Sequence, residues 1–168
     1  SRIGINRRER KPDGQIILGQ NPNGPVDRRL DVVRLDTAEG APLATLVGFA
    51  CHPVSQSGRM TQLSADFPGR MREAAESLTG SPCLFIQGAA GNINPIQMEH
   101  RYEPARRLGT LLGAAVVQAY DEAAPETAVT VATLRADLEL PAMSVPTVEE
   151  GRQRVAALEA ERRRLTET

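Results

Sequence analysis

Hydrophobic and polar residues follow a strand-and-helix pattern along the first 122 residues. Residues 30–36 (LDVVRLD) predict a strand. Residues 43–51 form a continuous apolar run, which is typical of a central strand buried on both faces. The turn residues at 37–40 are of hairpin length and predict that these two strands pair. A second apolar run at 83–86 predicts another buried strand.

Two amphipathic helices are predicted beside these strands. The first begins near Ser64 or Asp66, which are both good N-caps, and ends by Gly80. The second begins at Pro104 and ends by Pro125. Its core-facing stripe consists of Leu108, Leu111, Leu112, Ala115, Val116, Ala119 and Tyr120. Because the first helix connects the two apolar runs, it predicts a crossover between parallel strands.

The remaining segments have weaker patterns. Residues 1–29 are rich in Arg, Asn, Gly and Pro and predict an ordered loop with turns. Residues 127–140 alternate and predict a half-buried strand, antiparallel or at a sheet edge. Thr147 and Glu150 form a capping-box pattern that predicts the start of a last helix.

Together these elements predict an α/β fold with a mixed, mostly parallel sheet and flanking helices. We expect one partial domain over 1–168, with an α/β core at 1–140 and a C-terminal helical segment at 141–168. The chain begins without Met and stops in a charged helix, so we expect it to be a fragment of a larger domain.

Composition narrows the functional classes. The net charge of −1 provides no field that would recruit nucleic acid or a membrane surface. Aromatic residues make up 3% of the chain, which argues against a base-stacking platform. The sequence contains no transmembrane run. Its two cysteines, Cys51 and Cys83, leave the compartment open, and the oligomeric state is also open.

The candidate chemistry lies where two predicted strands end. His52 follows the central strand, and a loop at 87–95 follows the strand at 83–86. If these strands are parallel, both segments leave the carboxyl edge of the sheet, where open α/β sheets bind ligands. By position alone, His52 is either a hydrogen-bonded strand-end residue or a residue for ligand binding or proton transfer. The facing loop favours the functional interpretation.

The loop offers small residues that let backbone amides approach a ligand: Gly88, Ala89, Ala90 and Gly91. These amides could stabilise an oxyanion, or the loop could be only a tight strand exit. Asp66 is most simply a helix cap. Asp66, together with Ser64, could also hold the His52 ring in a fixed orientation. His100 is expected in a surface loop. One histidine cannot hold a catalytic zinc ion, which takes about three protein ligands.

Five motifs in order resemble the neutral (alkaline, non-lysosomal) ceramidase family over roughly residues 3–122. Residues 4–8 resemble the family's INRS segment, and Asn21-Pro22 with Val26-Asp27 resembles its NP…D stretch. Residues 49–55 match FAxHPxS. Ser64-Ala65-Asp66 with Gly69 matches SxDNxG, and residues 91–95 align with GDVSP.

The resemblance implies a zinc-dependent amidase, with His52 as one metal ligand, Arg7 in contact with substrate, and the other ligands outside this chain. It implies a small-molecule or lipid amide substrate. Two family residues differ: Asn92 stands for the aspartate, and Asn94 for the catalytic serine, so both are carried over as site positions. Attack by a metal-bound water is compatible with these changes. The alternative is a catalytically inactive, ceramidase-like domain that binds a ligand or partner.

Overall fold

A computed structural model describes residues 2–56, 58–141 and 144–166. The chain divides into two compact units, Ser1–Thr127 and Ala128–Thr168. The elements of the first unit are β1 (Gly4–Arg10), β2 (Ile16–Asn21), β3 (Leu30–Asp36), β4 (Pro42–Phe49), α1 (Asp66–Thr79), β5 (Cys83–Gln87), β6 (Ile93–Pro95) and α2 (Glu103–Glu122). The second unit contains α3 (Val148–Thr166).

The strands form two three-stranded sheets, in the orders β2-β1-β6 and β3-β4-β5. The α/β class is confirmed. Among the strands of the described residues, only β4 and β5 pair in parallel, and the other strand pairs are antiparallel. The difference from a mostly parallel sheet has a simple cause. A parallel pair needs a long crossover, which α1 supplies once, whereas short turns join β1 to β2 and β3 to β4.

A β-hairpin occupies much of the segment predicted as loop, so that prediction was wrong for β1 and β2. Its turn is closed by a hydrogen bond from Gly14 N to Lys11 O of 2.9 Å, and Gly14 has a φ of 86°. Ile16 and Leu18 on β2 are 48% and 67% exposed, so the strand has no buried apolar face that hydrophobic alternation could reveal. The turn expected at Asn21-Pro22 is present, since Gly24 N donates to Asn21 O at 3.2 Å.

The two long helices of the first unit are confirmed and pack against each other closely. Gly80, with a φ of 66°, ends α1. A Cβ on Gly109 would lie 2.6 Å from Phe67 O, and one on Gly113 would lie 2.8 Å from the Ala74 Cβ, so glycine permits the approach of α2 to α1. The core beneath them includes Val47, Phe49, Phe67, Met71, Leu108, Leu112 and Val116.

The strand predicted at 127–140 is absent, so that prediction was wrong. The segment has no regular structure, and its larger apolar side chains, such as Val131 and Leu134, are exposed. Alternation describes one face of a strand but does not supply a neighbour to pair with. The capping box before α3 is confirmed, because Thr147 N donates to Glu150 Oε2 at 2.7 Å and Glu150 N donates to Thr147 Oγ1 at 3.2 Å.

In the part of the chain that the structure describes, none of the helices combines the length and the hydrophobicity that crossing a lipid bilayer requires.

Candidate functional site

The parallel pairing of β4 and β5 brings His52 and the following loop to one edge of the sheet. Phe49 pairs with Gln87 at the ends of the two strands, so the segments that follow β4 and β5 leave the sheet in the same direction. Gly88 N then donates to Phe49 O at 3.0 Å, and His52 N donates to Ile93 O at 3.1 Å. The loop and the histidine are therefore neighbours, as the crossover predicts.

One ring nitrogen of the His52 imidazole makes no hydrogen bond to the described residues. This atom, Nε2, is buried. Burial, and secondly the positive charge of Arg7, lower the pKa of His52 below its ordinary value. The ring is therefore neutral at pH 7, because both effects disfavour the added proton.

Arg7 reaches the same place from β1. Its backbone N–H donates to Asn92 O at 2.8 Å, and its guanidinium Nε donates to Gly91 O at 3.1 Å. Arg8 also donates to Gly91 O, from Nη2 at 3.2 Å. These contacts hold two positive charges against the loop. As a result, Arg7 belongs to the predicted site instead of to the solvated surface.

Asn94 lies in β6 and is buried, with its Oδ1 3.5 Å from Arg7 Nη1. This long hydrogen bond places the carboxamide beside the guanidinium. Asn94 is therefore close to Arg7, while its backbone neighbour Ile93 accepts the His52 amide. The structure brings together Arg7, His52 and Asn94, and we call these three residues the Arg7–His52–Asn94 cluster.

Asn92 has a different environment. Its Nδ2 donates to Pro25 O at 2.8 Å, and the buried Asn6 donates from its own Nδ2 to the same oxygen at 2.8 Å. Asn6 also accepts the Arg8 amide at 2.8 Å. Sequence reasoning missed Asn6 and Pro25, although both lie in or next to the motif segments at 4–8 and 21–27. Asn92 thus fixes the loop to the segment around Pro25.

The four small loop residues have distinct surroundings. Gly88 lies close to Ala50, since a Cβ on Gly88 would be 3.0 Å from the Ala50 Cβ, a tight contact. Its N–H already donates to Phe49 O, so this amide does not serve as an oxyanion donor. Ala90 is buried and accepts Ile93 N at 2.9 Å, which closes the turn. Ala89 and Gly91 are exposed and face solvent.

Asp66 supports the segment after His52 and does so from a buried position. Its carboxylate accepts the Ser55 hydroxyl at 2.5 Å, Gln56 N at 2.9 Å and Phe67 N at 2.7 Å. Ser64 Oγ in turn accepts the Asp66 amide at 3.0 Å. Asp66 has a φ of 52°, which is unusual for a residue other than glycine.

The prediction of Ser64 or Asp66 as the N-cap was wrong: the N-cap of α1 is Ala65, without a side-chain capping hydrogen bond, and Asp66 is the first residue of the helix. It satisfies an amide in the first turn of α1, and it anchors Ser55, which is three residues beyond His52. The support acts on the loop backbone and not on the imidazole itself. The contact between Ser55 and Asp66 was not predicted, although both residues lie in the motif segments at 49–55 and 64–69.

The described residues do not complete a zinc site. They contain no group of three or more His, Cys, Asp or Glu side chains that could hold a metal ion, so His52 supplies one nitrogen. Burial, and secondly the charge of Asp66, raise the pKa of the neighbouring Cys51 thiol to about 12, which keeps it protonated. Any zinc bound at His52 needs its other ligands from elsewhere.

Two grooves lie away from the cluster, along α1. One of about 360 Å³ is lined by residues that include Arg72, Cys83 and Phe85. The other, of about 190 Å³, includes Asp66, Tyr102 and Arg106 in its lining. Neither groove has a residue of the Arg7–His52–Asn94 cluster in its lining.

No protein-family model, curated protein or solved structure matches this chain. The likeness to the neutral ceramidases therefore rests on the five motifs, and it stays a prediction.

Proposed function

We propose that the chain is part of a ceramidase-like hydrolase that cleaves an amide or a related acyl bond at the Arg7–His52–Asn94 cluster. The observation that carries the proposal is the His52 Nε2 atom, which is buried beside a cation and lacks a partner among the described residues. A histidine kept only for structure normally has its buried nitrogen satisfied. An unsatisfied one is suited to a substrate, a proton or a metal ion.

Each residue of the cluster has a role that its position supports. Arg7 is a fixed positive charge for the oxygen of an acyl group or for the carboxylate product. The Asn94 carboxamide lies beside it and adds a neutral polar contact to the same oxygen. Neutral His52 offers a nitrogen lone pair that accepts a proton or binds a metal ion.

Zinc is the cofactor that the family resemblance implies, and it supplies an activated water when bound. The described residues contain no group of three or more His, Cys, Asp or Glu side chains that could hold the ion, so its other ligands would come from elsewhere. The proposal assigns to these residues substrate binding, orientation and the holding of a proton.

A second candidate is a catalytically inactive binding domain, and the two asparagines favour it. Asn92 is committed to Pro25 O through its Nδ2, and neither Asn92 nor Asn94 has the carboxylate or hydroxyl of the family motif. Such a domain would still bind an acyl carboxylate at Arg7.

An assay of the full-length protein on N-acyl amides of long and short chain length distinguishes these functions. The hydrolase proposal predicts release of free amine well above that from heat-unfolded protein. The binding-domain candidate predicts saturable binding of the fatty-acid product without release, also in the Asn92→Asp/Asn94→Ser variant. Turnover that appears only in this variant indicates a diverged amidase, whereas absence of both binding and turnover would contradict both candidates.

A further inference from the structure

The helix α3 carries an apolar face that the described structure leaves exposed. None of its described residues is buried, and Val155 and Leu158 in its middle are 56% and 58% exposed. Val148 and Leu165, near its ends, are more exposed still. These four residues follow one another at spacings of seven, three and seven, which is the heptad pattern of a coiled-coil seam. In this register Val148, Val155 and Arg162 occupy a positions, and Gly151, Leu158 and Leu165 occupy d positions.

The charges beside this seam are divided between the two halves of the helix. In the first half, Arg152 and Arg154 occupy the e and g positions. In the second half, Glu159 and Glu161 occupy the equivalent positions. Residues at e and g flank the seam and select the partner and its direction. A helix that is basic at one end and acidic at the other along its seam is complementary to a reversed copy of itself.

We propose that α3 pairs with the α3 of a second copy of this chain in an antiparallel two-stranded coiled coil. In that arrangement Val155 packs on Leu158 of the second copy, and Val148 packs on Leu165 of the second copy. Arg152 lies beside Glu159 of the second copy, and Arg154 lies beside Glu161 of the second copy. The two-fold axis repeats each contact, which gives four attractive charge pairs.

The third pair of seam positions, Gly151 and Arg162, also favours the antiparallel direction. Antiparallel pairing places Arg162 opposite Gly151 of the second copy, where the missing side chain leaves room for the arginine stem to reach solvent. Parallel pairing would place Arg162 against Arg162 of the second copy inside the seam, and like charges there are repulsive. It would also retain only the pairs between Arg154 and Glu159. The second copy is therefore expected in the antiparallel direction.

Charge reversal in the full chain tests the pairing. Sedimentation velocity from about 1 µM to about 1 mM, the range in which weak interfaces associate, is expected to show a monomer–dimer equilibrium. Arg152→Glu/Arg154→Glu makes all four flanking positions acidic and is expected to raise the dimer Kd by about tenfold or more. Glu159→Arg/Glu161→Arg makes them all basic and should have the same effect. An equimolar mixture of the two variants should recover dimerisation. The e and g positions are acidic in one variant and basic in the other, so they attract each other across the seam.

The matched control is Arg163→Glu/Arg164→Glu. It changes the net charge by the same amount as the first variant, on the b and c positions away from the seam. Its dimer Kd should stay within about twofold of that of the wild type, since outward charges contribute little.

Disulfide cross-linking tests the direction. Val148→Cys and Leu165→Cys chains, when mixed and oxidised, should form the mixed disulfide much faster than Val148→Cys alone forms its own. The native Cys51 and Cys83 are buried and do not compete. Faster Val148→Cys self-linking would overturn the antiparallel direction. A monomer throughout the concentration range, or variants that dimerise as the wild type does, would overturn the proposal.

Discussion

Replacing His52 with alanine is expected to lower kcat/KM for amide hydrolysis by about a hundredfold to ten-thousandfold, the range for loss of a proton-transfer group. His52 supplies the neutral nitrogen that lies buried beside Arg7 and lacks a partner among the described residues. Because the remaining ligands are expected outside this chain, the test uses the full-length protein, whose zinc content should fall together with the activity. Both are measured on the same samples, by product release and by atomic absorption.

The same variant separates a functional histidine from a structural one. When a buried nitrogen that makes a hydrogen bond is removed, its partner is left without that bond, and the free energy of unfolding falls by about 1–3 kcal/mol. His52 Nε2 has no such partner in the described structure, so the alanine variant should unfold at nearly the wild-type denaturant concentration. His100→Ala, on the exposed loop after β6, is the matched control and should retain activity and zinc. Wild-type turnover and full zinc content in His52→Ala would exclude the assigned role.

The largest effect on stability is expected for Asp66→Ala, which should lower the free energy of unfolding by about 3 kcal/mol or more. The buried Asp66 carboxylate accepts three hydrogen bonds, from Ser55, Gln56 and Phe67. Alanine leaves these donors without a partner, and Ser55 is fully buried. It also keeps the unfavourable positive φ of 52°. Urea denaturation measures the change directly.

Two further variants test whether the loss of the Asp66 carboxylate causes the loss of stability. Asp66→Asn tolerates a positive φ but loses the negative charge, so its stability should lie between those of wild type and Asp66→Ala. Asp27→Ala, which removes a surface carboxylate paired with Arg29, should leave the denaturation midpoint unchanged. Equal midpoints for Asp66→Ala and wild type would show that the carboxylate does not hold the loop and the helix together.

The elements with a buried face could be predicted from the sequence. The run at 43–51, the amphipathic helix after it and the run at 83–86 together specify a parallel crossover, and the crossover in turn specifies that His52 meets the loop after β5. Each step depends on hydrophobic spacing and connection length, which are local properties. For this reason the position of the candidate site followed from the pattern.

The features that depend on pairing partners could not be predicted. The β1–β2 hairpin has exposed apolar residues, so backbone hydrogen bonds and not burial define it. The segment at 127–140 has the strand pattern without a strand to pair with. The contacts of Asn6 and Asn92 with Pro25 join distant parts of the chain, and short polar residues give no periodic signal of such contacts.

The location of the site is tested most directly by NMR titration of the labelled chain with octanoate, a short-chain acyl product. We expect the largest changes in backbone amide shifts at Arg7, His52 and residues 91–94, and Arg7→Met should reduce them. Changes confined to the groove lined by Arg72, Cys83 and Phe85 would contradict a site at the Arg7–His52–Asn94 cluster.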